Sequence, residues 1–127
     1  MPRVVHFDIA ADNPERAISF YREVFGWSFE EWEGPAPYWL IKTGDEGPGI
    51  DGGLSKKMPG AMLVNTIDVP SVEIFMQKIT QSGGKILSPM QAIPGVGYLA
   101  YFQDTEGNVF GIMENNPEAK LEDVQQY

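Results

Sequence analysis

Residues 4–26 read VVHFDIAADNPERAISFYREVFG, and residues 62–84 read MLVNTIDVPSVEIFMQKITQSGG. Each runs from an apolar strand through a polar turn into a helix closed by glycine, so the two are copies of one plan. In the first, Val4–Ala10 is a strand, Asn13 is placed to cap a helix, and Pro14 takes the first helical position, where its missing N–H costs nothing. Ala17, Ile18, Tyr21, Val24 and Phe25 then recur with the period of one helical face, and Gly26 stops it. In the second, Met62–Val69 is the strand and Ser71 the cap. Val72, Phe75, Met76 and Ile79 form the apolar stripe, and Gly83 and Gly84 end it. His6 and Asn65 occupy equivalent points 59 positions apart, and Gly26 and Gly83 are 57 apart.

Three β-rich segments follow each helix, near 27–33, 38–43 and 49–55 in the first half and near 85–93, 97–103 and 108–114 in the second, with glycine and proline marking the turns. Each half is therefore β-α-β-β-β. The expected fold is α+β, a single domain of two tandem modules (4–60 and 61–114) whose curved mixed sheets surround a cavity. A tail, 115–127, carries no assigned function. One helix covers only one face of its sheet, so two modules or two chains must pair to cover the other.

At 127 residues, with 43% hydrophobic and 21% charged, the chain has the size of an ordinary globular domain. It has no cysteine, which excludes disulfides, thiol catalysis and cysteine zinc sites and makes a cytoplasmic setting the expectation. Eighteen acids against nine bases give a net charge of -9, so no nucleic-acid partner is expected, since phosphate binding needs clustered lysine and arginine. No apolar run is long enough to span a bilayer, and the opening MPRVVHFDIA is too short in apolar residues to serve as a secretory leader. No membrane partner is expected.

The strand histidine in VVHFDIAADNPERAISFYREVFGW, the ending GYLAYFQDTEGNVFGIME and the repeated module together resemble the vicinal oxygen chelate superfamily, which includes glyoxalase I, bleomycin-resistance proteins and extradiol dioxygenases. The resemblance covers about residues 4–114, and its most specific parts are N-P-E-R-A-x-x-F-Y and the D-x-E-G-N turn of Asp104, Glu106, Gly107 and Asn108. In metal-using members it implies four ligands, one from the first and one from the last strand of each half. Here the first-strand positions fall on His6 and on Asn65, whose amide oxygen is a poor ligand for nickel, zinc or iron. The last-strand positions fall on Gly111 and on Gly52 or Gly53, and a one-residue shift would bring in Asp51. Alternation turns Glu114 away from the face of Gly111 and Met113, leaving it as a solvated strand-end carboxylate. His6 alone is a weak metal site, so no cofactor is expected and a divalent metal is disfavoured.

Alternation also puts His6 and Asp8 on one face of the first strand, a polar pair fit to position an imidazole for acid–base work. Both are candidate catalytic residues. The candidate ligand pocket comprises Asn65, Trp32, Tyr38, Trp39, Tyr98, Gly111 and Met113, an apolar and aromatic wall with few polar groups. The glycine-rich stretch 43–60 lacks the order of a phosphate loop. Two readings stay open. One is a glyoxalase-like lyase or isomerase acting through His6. The other is a metal-free protein that sequesters a small organic ligand, as bleomycin-resistance proteins do. Either is expected to be a homodimer.

Overall fold

The computed structural model describes residues 2–34, 36–57 and 64–121. The chain divides into two compact units, Val5–Val64 and Asn65–Tyr127 with Met1–Val4. The expected module boundary at 60/61 lies outside the described residues.

The first unit is built from β1 (Arg3–Ala11), α1 (Pro14–Phe25), β2 (Ser28–Glu31), β3 (Tyr38–Lys42) and β4 (Asp51–Lys56). Its strands run in the order β2-β3-β4-β1, with β1 parallel to β4 and the other pairs antiparallel, so the sheet is mixed. Local chemistry sets the helix limits. Asn13 Oδ1 accepts the Arg16 amide at 3.1 Å, and Gly26 closes the helix at φ 73°, a left-handed conformation that costs glycine little. On the helix-facing side of the sheet, Ile18, Ile41 and Leu54 form a core joined by Phe7, Ile9, Trp27, Phe29 and Trp39.

The second unit repeats the plan with β5 (Val64–Asp68), α2 (Val72–Gln81), β6 (Lys85–Ile86), β7 (Gln91–Ile93), β8 (Gly97–Gln103) and β9 (Val109–Asn115). Here β5 is parallel to β9, and β8 is antiparallel to β9, β6 and β7. The single segment expected near 85–93 is two short strands. Pro89 lacks the N–H that a continuous ladder would need, and the chain breaks around it. Ser71 Oγ accepts the Ile74 amide at 3.2 Å, as its capping role requires. Val69, Val72, Ala100 and Ile112 form the core, with Ile67, Phe75, Met76, Ile79, Tyr98 and Phe102 packed against it.

Two carboxylates hold this unit together. Glu114 does turn away from Gly111, but it is not simply solvated: its Oε1 accepts the Val72 amide at 3.1 Å, placing negative charge at the N-terminus of α2. Asp104 ties the β8–β9 turn by accepting the amides of Glu106 at 2.8 Å and Asn108 at 2.9 Å and the Asn108 side chain at 2.9 Å. The Asn108 side chain, followed by these amides, holds the Asp104 carboxyl below its ordinary value of 3.8. A depressed carboxylate adds stability above the unfolded value and loses it as pH falls through the folded one. The stability gap between wild type and Asp104→Asn should therefore be full at neutral pH and shrink below about pH 3.8, which urea unfolding at several pH values would measure.

The described part of the tail is also anchored. Asn116 N donates to Val96 O at 2.8 Å, Gly95 N donates to Ala119 O at 3.1 Å, and Ala119 is buried.

Candidate functional site

Parallel pairing of β1 with β4 sets His6 opposite Asp51, Phe7 opposite Gly52 and Asp8 opposite Gly53. Phe7 and Ile9 point into the core beneath α1, so His6 and Asp8 project from the other face. Tyr38, at the start of β3, reaches the same place. Its hydroxyl donates to Asp8 Oδ1 at 2.8 Å, and His6 Nε2 lies 3.3 Å from the Tyr38 hydroxyl and 3.4 Å from Asp8 Oδ1. The His6 and Asp8 side chains are 31% and 23% exposed, so the cluster is partly shielded from water yet open to a ligand. Trp32 stands edge-on to Tyr38 with ring centroids 6.0 Å apart, and at 41% exposure it offers an apolar flank.

Gly53 explains how the tyrosine fits. A Cβ at position 53 would collide with the Tyr38 hydroxyl and come within 2.8 Å of Asp8 Oδ1, so the hydroxyl fills the volume a side chain there would need. Gly52 turns the other way, against Phe7. Asp51 lies opposite His6, but its carboxylate is engaged by Thr43, accepting the backbone amide at 2.9 Å and the hydroxyl at 3.3 Å.

In the second unit a Cβ on Gly111 would meet Thr66 Oγ1 at 3.1 Å and the Tyr101 ring at 3.4 Å. Thr66 is therefore the strand residue on the face of Gly111, and Asn65 alternates onto the helix-facing side with Ile67 and Val69. This corrects the expected equivalence of His6 with Asn65. Phe7 matches Ile67 and Ile9 matches Val69 in their cores, whereas the cap Asn13 matches Ser71. The strand-to-helix connection is two residues shorter in the second unit. An offset averaged over strand and helix slips the strand by one, which turns every side chain to the opposite face.

Two more pocket candidates lie elsewhere for the same kind of reason. Trp39 packs with Ile41 in the core of the first unit, and Tyr98 packs with Ala100 in that of the second. Alternation along β9 places Met113 on the face of Gly111, partly buried opposite Leu99. Of the expected site residues in the first unit, the structure thus unites His6, Asp8, Tyr38 and Trp32, with Gly53 as the residue that admits the tyrosine. Two open hollows, of about 420 Å³ beside the start of α1 and about 340 Å³ beside Glu114 and Asp68, include none of these five residues.

Among the described residues, no group of three or more histidine, cysteine, aspartate or glutamate side chains is gathered to hold a metal ion. The donor chemistry agrees: one imidazole stands beside one carboxylate already bonded to Tyr38, and of the last-strand positions Gly111 has no side chain while Asp51, opposite His6, has its carboxylate engaged by Thr43. These residues do not fit the four-ligand metal site that the fold implies.

The family model for the Glyoxalase/Bleomycin resistance protein/Dioxygenase superfamily matches residues 3–112. A "Glyoxylase-like domain-containing protein" of Didymella fabae is 34% identical over 113 residues, covering 83% of this chain and 88% of that protein. A "Putative glyoxylase CFP32" of Mycobacterium bovis is 27% identical over 115 residues, which cover 87% of this chain but 43% of that longer protein. Among solved structures, methylmalonyl-CoA epimerase from Mycobacterium tuberculosis superposes with a TM-score of 0.69 at 14% identity, covering 90% of this chain and 88% of that one. This last likeness is one of fold. No helix among the described residues is long and apolar enough to cross a membrane.

Proposed function

We propose, from the premise that this chain belongs to the Glyoxalase/Bleomycin resistance protein/Dioxygenase superfamily, that it binds a small organic molecule against the His6–Asp8–Tyr38 face and moves a proton on it. The observation that carries this reading is the convergence of the chain's single histidine, a carboxylate and a phenol within 3.4 Å, on a face still open to solvent. An imidazole held by a carboxylate is a competent general base near neutral pH, and the pair can carry the charge that a transferred proton brings. The reaction class is isomerase- or lyase-like, the proton coming from a carbon next to a carbonyl group. His6 is the base, Asp8 and Tyr38 position it, and Trp32 flanks the bound molecule.

The test is deuterium wash-in. Methylmalonyl-CoA, the compound named with the structurally similar epimerases, and a set of small keto and hydroxy carbonyl compounds are incubated in heavy water and followed by NMR. Exchange of the acidic carbon-bound hydrogen, dependent on His6, supports the reading. Exchange that His6→Ala leaves intact would refute it.

A second reading, a protein that only sequesters its ligand, draws on the exposed indole of Trp32 beside Tyr38, which supplies binding area without chemistry. On that reading His6→Ala keeps most of the affinity and there is no exchange to lose. Under either reading the setting is cytoplasmic, and neither nucleic acid nor membrane is a partner. The protein is a homodimer, since one helix leaves a face of its sheet to be covered and Leu40 remains exposed on that face. Sedimentation at micromolar concentration should give about twice 14.1 kDa. A monomeric mass would contradict the dimer.

A further inference from the structure

Resting on the proton-transfer reading, we propose that Asp8 and Tyr38 form a tautomer clamp, that the proton-accepting atom is Nδ1 of His6, and that position 53 is glycine to let the clamp close. The shortest of the three contacts is the 2.8 Å bond from the Tyr38 hydroxyl to Asp8 Oδ1. A phenol has one proton, and that bond uses it. The Tyr38 oxygen can then offer His6 only a lone pair, and an ionised carboxylate is likewise acceptor-only. Nε2 therefore faces two acceptors, at 3.3 and 3.4 Å, and no donor. A neutral imidazole satisfies that arrangement only by carrying its proton on Nε2, because the bond made by one ring nitrogen fixes the state of the other.

Nδ1 is left with its lone pair, and no described residue donates to it. A proton taken from a carbon acid goes to Nδ1. The electron pair of the broken C–H bond stays on the substrate as an enolate, and the ring becomes an imidazolium whose Nε2–H is still held by Asp8 and Tyr38. Return of the proton from Nδ1 to the enolate carbon restores the starting state. Asp8 and Tyr38 act through His6 and are positioning residues.

Gly53 completes the device. Any Cβ there would displace the Tyr38 hydroxyl and crowd Asp8 Oδ1, so the side-chain volume at this strand position is given up to the phenol.

The chain has one histidine, so its ring nitrogens are directly readable by long-range ¹H–¹⁵N NMR without assignment. The spectrum is recorded at about pH 8.5, some two units above an ordinary imidazole. Wild type should show the Nε2–H tautomer alone. Asp8→Asn keeps the shape but removes the charged acceptor, freeing the hydroxyl to donate to Nε2, and should move a large share of the ring to Nδ1–H. Gly53→Ala should give a tautomer mixture by expelling the hydroxyl, with Tyr38→Phe as the milder control should the alanine variant not fold. A wild-type ring protonated mainly on Nδ1, or an Asp8→Asn spectrum identical to wild type, would overturn the clamp. Because the readout needs no substrate, a failed clamp is distinct from a failed proton-transfer reading, which the wash-in tests.

Discussion

Replacing His6 with alanine is expected to lower the rate of proton exchange by about 10²- to 10⁴-fold, the span that one positioned acid–base group supplies. The fold should survive the change. His6 lies on the open face of β1, 31% exposed, and Phe7 and Ile9, not His6 itself, carry the packing of the strand against α1. The comparison is clean because the chain has no other histidine to take over the role. The pattern of the loss also matters. If His6 acts in the transition state, kcat and kcat/KM fall together, whereas a role limited to binding would raise KM at nearly constant kcat. Steady-state kinetics on whichever carbon acid exchanges would separate the two.

The second large effect is on stability. Leu54→Ala should cost about 2–5 kcal/mol, a sizeable fraction of the roughly 5–15 kcal/mol of an ordinary domain. Leu54 is fully buried between Ile18 and Ile41, and the residue before it, Gly53, faces the His6 cluster. The same strand therefore supplies core on one side and site on the other. Leu40 is the matched control. It sits opposite Gly53 in the β3–β4 register on the site face, 43% exposed, so Leu40→Ala should cost less than about 1 kcal/mol. Urea unfolding should show a lower midpoint for Leu54→Ala at an unchanged slope, with Leu40→Ala near wild type. Equal losses at the two positions would mean that the faces of this sheet have been read the wrong way round.

Much of the fold was legible in the sequence, and the reason is local. Asn13 before Pro14, Ser71 before Val72, and the glycines after each apolar helical stripe are signals read within a few residues, and the structure uses them as caps and stops. The facing of His6 and Asp8 came from the same kind of short-range alternation. What was not legible depends on three-dimensional register. The repeat locates the second strand only to within a residue, and the shorter strand-to-helix connection before Ser71 turned the one-residue slip into the choice of Asn65 over Thr66. Residue type and segment favour a pocket wall for Trp39 and Tyr98, but an aromatic suits a core as well as a wall, and only strand parity decides between them. The Tyr38 hydroxyl and Gly53 are separated by the whole β3–β4 connection. No local signal announces that one fills the space the other leaves. The glycines themselves were visible as missing ligands, and that was the sequence's best clue to the character of the site.

The His6–Asp8–Tyr38 cluster is proposed to move the proton without the four-ligand metal site of the metal-using members that the sequence resembles. The most direct measurement is deuterium wash-in by protein dialysed against a strong chelator, repeated after adding nickel, zinc or manganese. Exchange that persists in the chelator at its original rate, and that the metals do not increase, is the expected result. Exchange that stops on chelation and returns with about one added metal ion per chain would contradict it, because a catalytic centre of that kind needs roughly three protein ligands, and those ligands would have to come from residues other than Gly53 and Gly111.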